Sequence, residues 1–202
     1  MKKHLLILFS FCSLSLFARP APHYTPEPIS YTHPEALKVY KEAFQKAFEF
    51  ITKNQIQGDI AEFGTLYGFT ATVFSTLMSE YHHLVNLHLF DSFEGLPEIS
   101  SEIDQNSYEV KHLNAWVKGS MAVPSNIPTL IKNSLSSIIP GDLIHIHKGF
   151  FEDTLQETTL NNKLSIVHID CDLYQSSKEV LTKLFHFDLI QDGTILLFDD
   201  YN

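Results

Sequence analysis

Apolar residues recur along the chain in two alternating patterns. Helical spacing predicts helices over residues 34–53, 67–79, 127–138 and 176–187. Short apolar runs predict strands over residues 59–64, 84–90, 142–147, 164–170 and 194–198, and a long loop over residues 92–125. Strands that alternate with helices favour right-handed crossovers, and continuous apolar strands are typical of a parallel sheet covered on both faces. We therefore expect an α/β domain with a three-layer, doubly wound (Rossmann-like), mostly parallel sheet.

The N-terminus has the composition of an export signal. Lys2 and Lys3 precede an apolar run over residues 5–17, and Ala18 follows it. This run is short for a membrane-spanning helix and suits the apolar part of a signal peptide. We predict a signal peptide over residues 1–18, a linker over residues 19–34 and one domain over residues 35–202. The predicted location is periplasmic or secreted, with the cytoplasm as the alternative if the leader is not a signal.

Charge and cysteine content exclude several classes of function. The formal net charge is −10 and Arg19 is the only arginine, so a nucleic-acid partner is not expected. Cys12 and Cys171 do not have the spacing of a zinc site. Cys171 is expected to be a small core residue, and His145 and His147 to be packing or surface residues. A small molecule remains as the expected ligand.

Carboxylates follow two of the predicted strands. Asp170 and Asp172 come at the end of one strand, and Asp199 and Asp200 at the end of the next. Ligands bind at the carboxyl ends of strands in an open α/β sheet, and clustered carboxylates suit Mg²⁺ or Ca²⁺. The alternative is that Asp172 caps the following helix and that the other pair is a solvated strand end.

A glycine turn follows the first predicted strand of the domain. Residues 62–68 (EFGTLYG) lead into a helix, whose free N–H groups and close backbone approach suit a ligand. Asp91 ends the next strand, where an acidic residue commonly accepts the ribose hydroxyls of a nucleoside. A nicotinamide oxidoreductase and a methyltransferase both fit. The missing dinucleotide fingerprint disfavours the first, and the paired acidic strand ends favour the second.

Five segments resemble the macrocin O-methyltransferase family: residues 58–64, 90–98, 148–155, 168–174 and 198–202. They occur in the order and with the spacing of that family, and the resemblance extends over residues 35–202. Trp116 and Lys118 resemble its substrate-side segment. The resemblance implies a class I, S-adenosylmethionine-dependent fold. It also implies Mg²⁺-dependent methylation of a hydroxyl on a sugar, a small polyol or another natural product.

The resemblance also assigns roles to individual residues. It implies cofactor contacts at eight positions: Glu62, Gly64 and Gly68 at the amino-acid end, Asp91, Ser92 and Phe93 at the ribose, and Gly149 and Phe151 at the adenine. The implied metal ligands are Asp170, Asp199 and Asp200. Either Asp170 or Asp172 would accept the proton of the substrate hydroxyl.

The chain departs from the family at its C-terminal end. The class I fold normally continues beyond the fifth strand, and this sequence stops at Asn202. We therefore predict a fold truncated after the fifth strand, with residues 194–198 as an exposed apolar edge. Such an edge could pair with a second copy or with a missing C-terminal partner. Alternative functions are a non-catalytic exported remnant or binding protein and, less favoured, a nicotinamide oxidoreductase.

Overall fold

A parallel sheet of six strands forms the centre of the fold, with the order β1-β6-β5-β2-β3-β4. The computed structural model describes residues 6–9, 34–113 and 116–199. The strands are β1 (Leu6–Phe9), β2 (Asp59–Phe63), β3 (Leu87–Asp91), β4 (Ile144–Lys148), β5 (Leu164–Ile169) and β6 (Ile190–Phe198). Every neighbouring pair is parallel, which confirms the predicted sheet.

Helices cover both faces of this sheet. They are α1 (Pro34–Lys53), α2 (Phe69–Glu80), α3 (Glu102–Gln105), α4 (Ile127–Leu135), α5 (Phe151–Thr154) and α6 (Tyr174–His186). On one face Phe44 of α1 stacks on Phe74 of α2 with ring centroids 4.2 Å apart, and both side chains are fully buried. On the other face Val180 and Leu184 of α6 are buried in a second core. The predicted three-layer, doubly wound α/β architecture is confirmed.

Several predicted boundaries were wrong. The helix predicted from residue 67 begins at Phe69, because Gly68 takes a left-handed conformation just before it. The segment predicted as a loop over residues 92–125 contains α3 and a single π-helical turn, Glu109–Leu113. The last strand begins at Ile190, four residues before the prediction, because a register shift around Gly193 interrupts its apolar pattern.

The edge of β6 is covered within the described residues. Leu6–Phe9 pairs in parallel with Ile195 to Phe198, so the expectation of an exposed edge at residues 194–198 was wrong. The physical reason is that a short apolar segment can donate and accept the backbone hydrogen bonds of an edge strand. The signal peptide over residues 1–18 stays a prediction. Among the described residues no helix is both long enough and apolar enough to cross a membrane.

A polar network joins β2, β3 and β4. His88 Nε2 lies 3.3 Å from Asp59 Oδ2, and His88 Nδ1 lies 3.1 Å from His147 Nε2. His145 Nε2 lies 3.0 Å from Asn86 Oδ1. His145 and His147 therefore pack within a hydrogen-bonded network, which agrees with their predicted packing role. The sequence analysis did not single out His88, which alternates with leucines in a largely apolar strand.

Acid should destabilise this network. Burial, followed by the neighbouring His88 and His145, lowers the pKa of His147 from 6.5 to about 4. The unfolded chain therefore binds a proton at His147 between these pH values while the folded chain does not, so stability falls as pH drops through that window. We expect the melting temperature of His147→Gln to fall less than that of the unaltered chain between pH 6.5 and pH 4.5.

The matched control is His186→Gln, because His186 is exposed on α6. The other titratable groups are the same in the unaltered chain, His147→Gln and His186→Gln, so their effect on the pH dependence of the melting temperature cancels when the three are compared. Equal pH slopes for the unaltered chain and His147→Gln, measured by thermal denaturation, would contradict this account.

Candidate functional site

Four backbone hydrogen bonds continue the sheet ladder beyond the carboxyl ends of the strands. The donor and acceptor pairs are Gly149 N to Asp91 O at 3.0 Å, Gly64 N to Phe90 O at 2.9 Å, Asp170 N to Phe63 O at 2.9 Å and Asp199 N to Ile169 O at 3.1 Å. The four donors and Asp91 therefore lie side by side at one edge of the sheet. We call Asp91, Gly64, Asp170 and Asp199 the carboxyl-end row.

Gly64 allows this row to close. Its φ is +94°, and a Cβ built there would lie 1.7 Å from the carbonyl oxygen of Asp170. That distance is far inside van der Waals contact, so a side chain at this position would push β2 and β5 apart. The glycine predicted from the sequence as a cofactor contact thus also sets the distance between the two central strand ends.

A cavity of about 900 Å³ opens above the carboxyl-end row. Eight of the residues predicted to form the site line it: Gly64, Asp91, Ser92, Gly149, Phe151, Asp170, Asp172 and Asp199. They come from the ends of β2, β3, β4, β5 and β6, where an open parallel sheet places its ligands. The sequence therefore identified most of the floor of this cavity.

Three predicted cofactor residues lie outside the cavity lining. Glu62 is fully buried, Phe93 is buried in the core beside α2 and α4, and Gly68 precedes α2. Ser92, the neighbour of Phe93, lines the cavity instead. Asp200, predicted as a metal ligand, lies outside the described residues.

Asp91 holds the loop that follows β2. Its Oδ2 accepts hydrogen bonds from Thr65 N at 2.9 Å and Leu66 N at 2.7 Å, and its Oδ1 accepts from Phe93 N at 2.6 Å. Burial raises the pKa of Asp91, and these three N–H groups act in the opposite direction. The carboxylate therefore organises the glycine turn from the next strand, whether or not it also meets a ribose.

A group of possible metal ligands lies at the other end of the row. One ligand atom each from His168, Asp170 and Asp199 lies within 4.8 Å of the others. Asp199 Oδ1 is buried without a hydrogen-bond partner, so the site has an acceptor that a cation could satisfy. The two carboxylates suit a hard divalent ion. His168 was not anticipated, since its strand reads as apolar; its Nδ1 lies 3.2 Å from buried Glu62 Oε2.

Four of the seven non-glycine residues with positive φ among the described residues line the cavity or adjoin its lining in sequence. Leu66, Phe93, Met121 and Asp172 all have positive φ, between 48° and 67°. Leucine, phenylalanine and methionine rarely adopt this region, and such strain is found where the surrounding structure enforces it, often at functional sites. Three of these residues, all but Phe93, line the cavity. The backbone geometry thus marks the same region as the carboxylates.

Cys171 is a core residue, as predicted. Its side chain is buried, and its Sγ lies 3.6 Å from the carbonyl oxygen of Phe63. Burial, with the nearby charges of Asp170 and Asp172, raises the pKa of the thiol well above its usual value. A protonated thiol is a poor nucleophile, so covalent catalysis by Cys171 is not supported.

Two residues that the sequence did not reveal connect the cavity wall to α6. Buried Asp104 accepts hydrogen bonds from Tyr174 N at 2.7 Å and Gln175 N at 3.0 Å, so it caps this helix from α3. Gln175 Oε1 accepts from Ser101 N at 2.8 Å. The acceptor at the start of α6 thus comes from a distant part of the chain. The contact joins residues about 70 positions apart, which local sequence patterns do not encode.

Comparison with known proteins identifies the relatives of this chain. A family model described as macrocin-O-methyltransferase (TylF) matches residues 37–202. A relative from Streptomyces olivaceus, named 8-demethyl-8-(2,3-dimethoxy-alpha-L-rhamnosyl)-tetracenomycin-C 4'-O-methyltransferase, is 24% identical over 161 residues, which cover 78% of this chain and 58% of the relative. Demethyldecarbamoylnovobiocin O-methyltransferase from Streptomyces niveus is 21% identical, with 79% and 59% covered.

A solved structure supports the fold independently. CalS11, a calicheamicin methyltransferase, superposes with a TM-score of 0.68 at 20% identity, and the match covers 82% of this chain and 65% of that one. At this identity the likeness supports the class I fold alone. The chain spans less than two thirds of the length of each of these three proteins.

Substituting Gly64 should disrupt the row. We expect Gly64→Ala to lose about 3 kcal/mol or more of unfolding free energy, because backbone strain and the contact with Asp170 add. Gly119→Ala is the matched control: φ is +79° there and no atom lies within 4 Å of the built Cβ. Urea denaturation measures both. Similar losses for the two variants would mean that the close approach of β2 and β5 is unimportant.

Removing the carboxylate of Asp104 should loosen α6. We expect Asp104→Ala to cost about 1–2 kcal/mol, because two N–H groups of the first turn lose their acceptor. Glu102→Ala, an exposed change in the same short helix, is the control. Chemical denaturation compares them, and an Asp104→Ala protein as stable as Glu102→Ala would refute the capping role.

Proposed function

The chain belongs to the macrocin O-methyltransferase family, and from this premise we propose that it methylates a hydroxyl group. The methyl donor is S-adenosylmethionine, the metal is Mg²⁺, and the acceptor is a sugar, a small polyol or another natural product. The observation that carries this proposal is the carboxyl-end row. Along the floor of one cavity it places the glycine turn at Gly64, the carboxylate of Asp91 proposed to bind the ribose, and the carboxylates of Asp170 and Asp199 proposed to bind the metal.

The donor end of the cavity is assigned to the part of the row around β2, β3 and β4. Gly64 brings backbone rather than side chain to the ligand, and Asp91 and Ser92 are positioned to meet ribose hydroxyls. Gly149 and Phe151, also in the lining, suit the adenine end. Glu62 is buried behind this wall with Oε1 lacking a hydrogen-bond partner. Its Oε2 lies 3.2 Å from His168 Nδ1, so it contacts one of the possible metal ligands from behind the cavity wall.

The metal end is assigned to β5 and β6. Asp170 and Asp199 carry like charges at adjacent strand ends, and a divalent cation between them would relieve their repulsion. Asp200 follows directly in the sequence and is proposed as a third oxygen ligand. When bound, the ion would lower the pKa of an acceptor hydroxyl, and S-adenosylmethionine would supply the methyl group.

The residues of the chain have two tasks in this reaction. The cavity walls hold the acceptor oxygen in line with the methyl carbon, which removes much of the entropic barrier. Asp170 or Asp172 accepts the hydroxyl proton as the new C–O bond forms and the C–S bond breaks. The products are a methyl ether and S-adenosylhomocysteine. Asp172 lines the cavity and has a positive φ of 57°.

A charge-removing substitution at Asp199 tests the metal role. We expect Asp199→Asn to remove the rise in melting temperature that Mg²⁺ gives the unaltered chain, and to abolish Mg²⁺-dependent methyl transfer. The fold should persist, because the amide keeps the size of the carboxylate. Thermal denaturation with and without Mg²⁺ measures the first effect without requiring an acceptor.

Asp192→Asn is the matched control, since Asp192 is exposed on the same strand β6 but far from its carboxyl end. Its response to Mg²⁺ should equal that of the unaltered chain. A full Mg²⁺ response in Asp199→Asn would remove Asp199 from the metal site.

A further inference from the structure

Three histidines form a polar cluster on β3 and β4 that the proposed reaction does not use. The ring of His88 stacks against the rings of His145 and His147, with centroids 4.9 Å and 5.3 Å apart. His88 is buried, whereas His145 and His147 are partly exposed on β4, the last strand in the order of the described sheet. None of them lines the cavity. We call these three residues the histidine cluster.

A buried carboxylate fixes the protonation of His88. Asp59 Oδ2 accepts hydrogen bonds from Asn86 Nδ2 at 3.1 Å and from Asn162 Nδ2 at 3.0 Å, and it lies 3.3 Å from His88 Nε2. An ionised carboxylate only accepts hydrogen bonds, so Nε2 of His88 carries the proton and Nδ1 has the lone pair. Metal-binding histidines commonly donate their other ring N–H to a carboxylate, which orients the ring and raises its basicity.

The lone pair of His88 Nδ1 faces a second imidazole nitrogen. His147 Nε2 lies 3.1 Å from it. In the metal-free chain His147 donates its Nε2–H to this lone pair. When the proton of His147 lies on Nδ1 instead, both facing nitrogens present lone pairs. This change moves one proton between the two nitrogens of a neutral ring, so it leaves the charge of the cluster unaltered.

The distance between these two nitrogens suits a transition-metal ion. Nitrogens 3.1 Å apart, each about 2.0–2.1 Å from a Zn²⁺ ion, make an angle of about 95–100° at the metal. Imidazole nitrogen suits Zn²⁺, Cu²⁺ and Ni²⁺, whereas Mg²⁺ and Ca²⁺ prefer oxygen. The side chain of His147 is partly exposed, so water would complete the coordination. The pair therefore has the ligand type and spacing of a transition-metal site.

The third imidazole adds another nitrogen donor to the cluster. Asn86 donates from Nδ2 to Asp59, so its Oδ1 is an acceptor, and this oxygen lies 3.0 Å from His145 Nε2. Nε2 of His145 therefore carries the proton, and Nδ1 has the lone pair. The hydrogen bonds of the cluster thus leave each imidazole with one nitrogen lone pair.

We propose that His88 Nδ1 and His147 Nε2 bind a divalent transition-metal ion such as Zn²⁺ or Cu²⁺, with Asp59 orienting His88. The ion takes the place of the proton that the two rings share and joins β3 to β4 at residues 59 positions apart in the sequence. Because it binds the folded chain, it stabilises this side of the sheet. The site is separate from the carboxylates of β5 and β6, since β2 lies between β3 and β5. It does not depend on methyl transfer.

The test measures metal binding to the full chain without any turnover. Zn²⁺ is titrated by calorimetry near neutral pH in a buffer that contains Mg²⁺, and the melting temperature is measured with and without Zn²⁺. We expect Zn²⁺ to raise the melting temperature of the unaltered chain. His147→Gln should weaken binding at this site by more than about tenfold, and Asp59→Asn by about tenfold, because the first removes a ligand and the second the carboxylate that orients one.

Electron paramagnetic resonance of bound Cu²⁺ identifies the ligands. The unaltered chain should show nitrogen coupling from two imidazoles, and His147→Gln should lose this signature. His186→Gln and Asp199→Asn are the controls, since His186 is exposed on α6 and Asp199 belongs to the carboxylates at the end of β6. Both should keep the two-imidazole signature.

Two results would overturn the proposal. One is a two-imidazole signature that persists in His147→Gln or is missing from the unaltered chain. The other is an unchanged Zn²⁺ affinity in Asp59→Asn. Circular dichroism checks that each variant is folded. If His147→Gln does not fold, the Zn²⁺ affinity of Asp59→Asn and the Cu²⁺ spectrum of the unaltered chain decide the question.

Discussion

The site depends on one constraint: the backbone ladder of the sheet continues for one residue beyond the end of each central strand. Because Gly149, Gly64, Asp170 and Asp199 each donate an N–H to the neighbouring strand, their positions are fixed by main-chain geometry rather than by side-chain packing. Strand ends in a parallel sheet point the same way, so residues far apart in sequence are aligned. The contact between Gly64 and the carbonyl of Asp170 tightens this alignment at its centre.

This arrangement concentrates negative charge that folding alone would disfavour. Asp91 is half-buried and its pKa is raised by burial, while Asp170 and Asp199 lie together near His168. Three backbone N–H groups stabilise Asp91, whereas the unsatisfied Oδ1 of Asp199 has no such compensation within the described residues. A cation bound at Asp199 would compensate the acceptor that lacks a hydrogen bond, and would therefore stabilise the folded chain.

The sequence predicted the sheet, the main helices and most of the cavity floor, because these follow from local periodicity and from residues directly after strands. Asp91, Asp170 and Asp199 were found in this way. Asp104 and His168 were missed for different reasons: the first acts across a long chain separation, and the second is a polar residue within an apolar strand. Short-range patterns carry no information on either contact.

Predictions also failed where two local signals conflicted. In the sequence Gly193 resembles a turn before a strand, so the start of β6 was predicted too late. In the structure Gly193 lies within β6, where its positive φ accompanies a register shift. Phe93 follows Asp91 closely in sequence, yet its side chain is buried in the core while Ser92 lines the cavity. Neighbouring residues in a turn diverge in direction, and only the three-dimensional structure distinguishes them.

The most direct test of the account is calorimetric titration of S-adenosylmethionine into the full chain, with and without Mg²⁺. The carboxyl-end row predicts saturable, micromolar-range binding of one donor per chain, and additional heat from the ion that disappears when Asp199 is neutralised. A folded, soluble chain that binds neither the donor nor the ion would contradict the assignment of this row as a methyltransferase site.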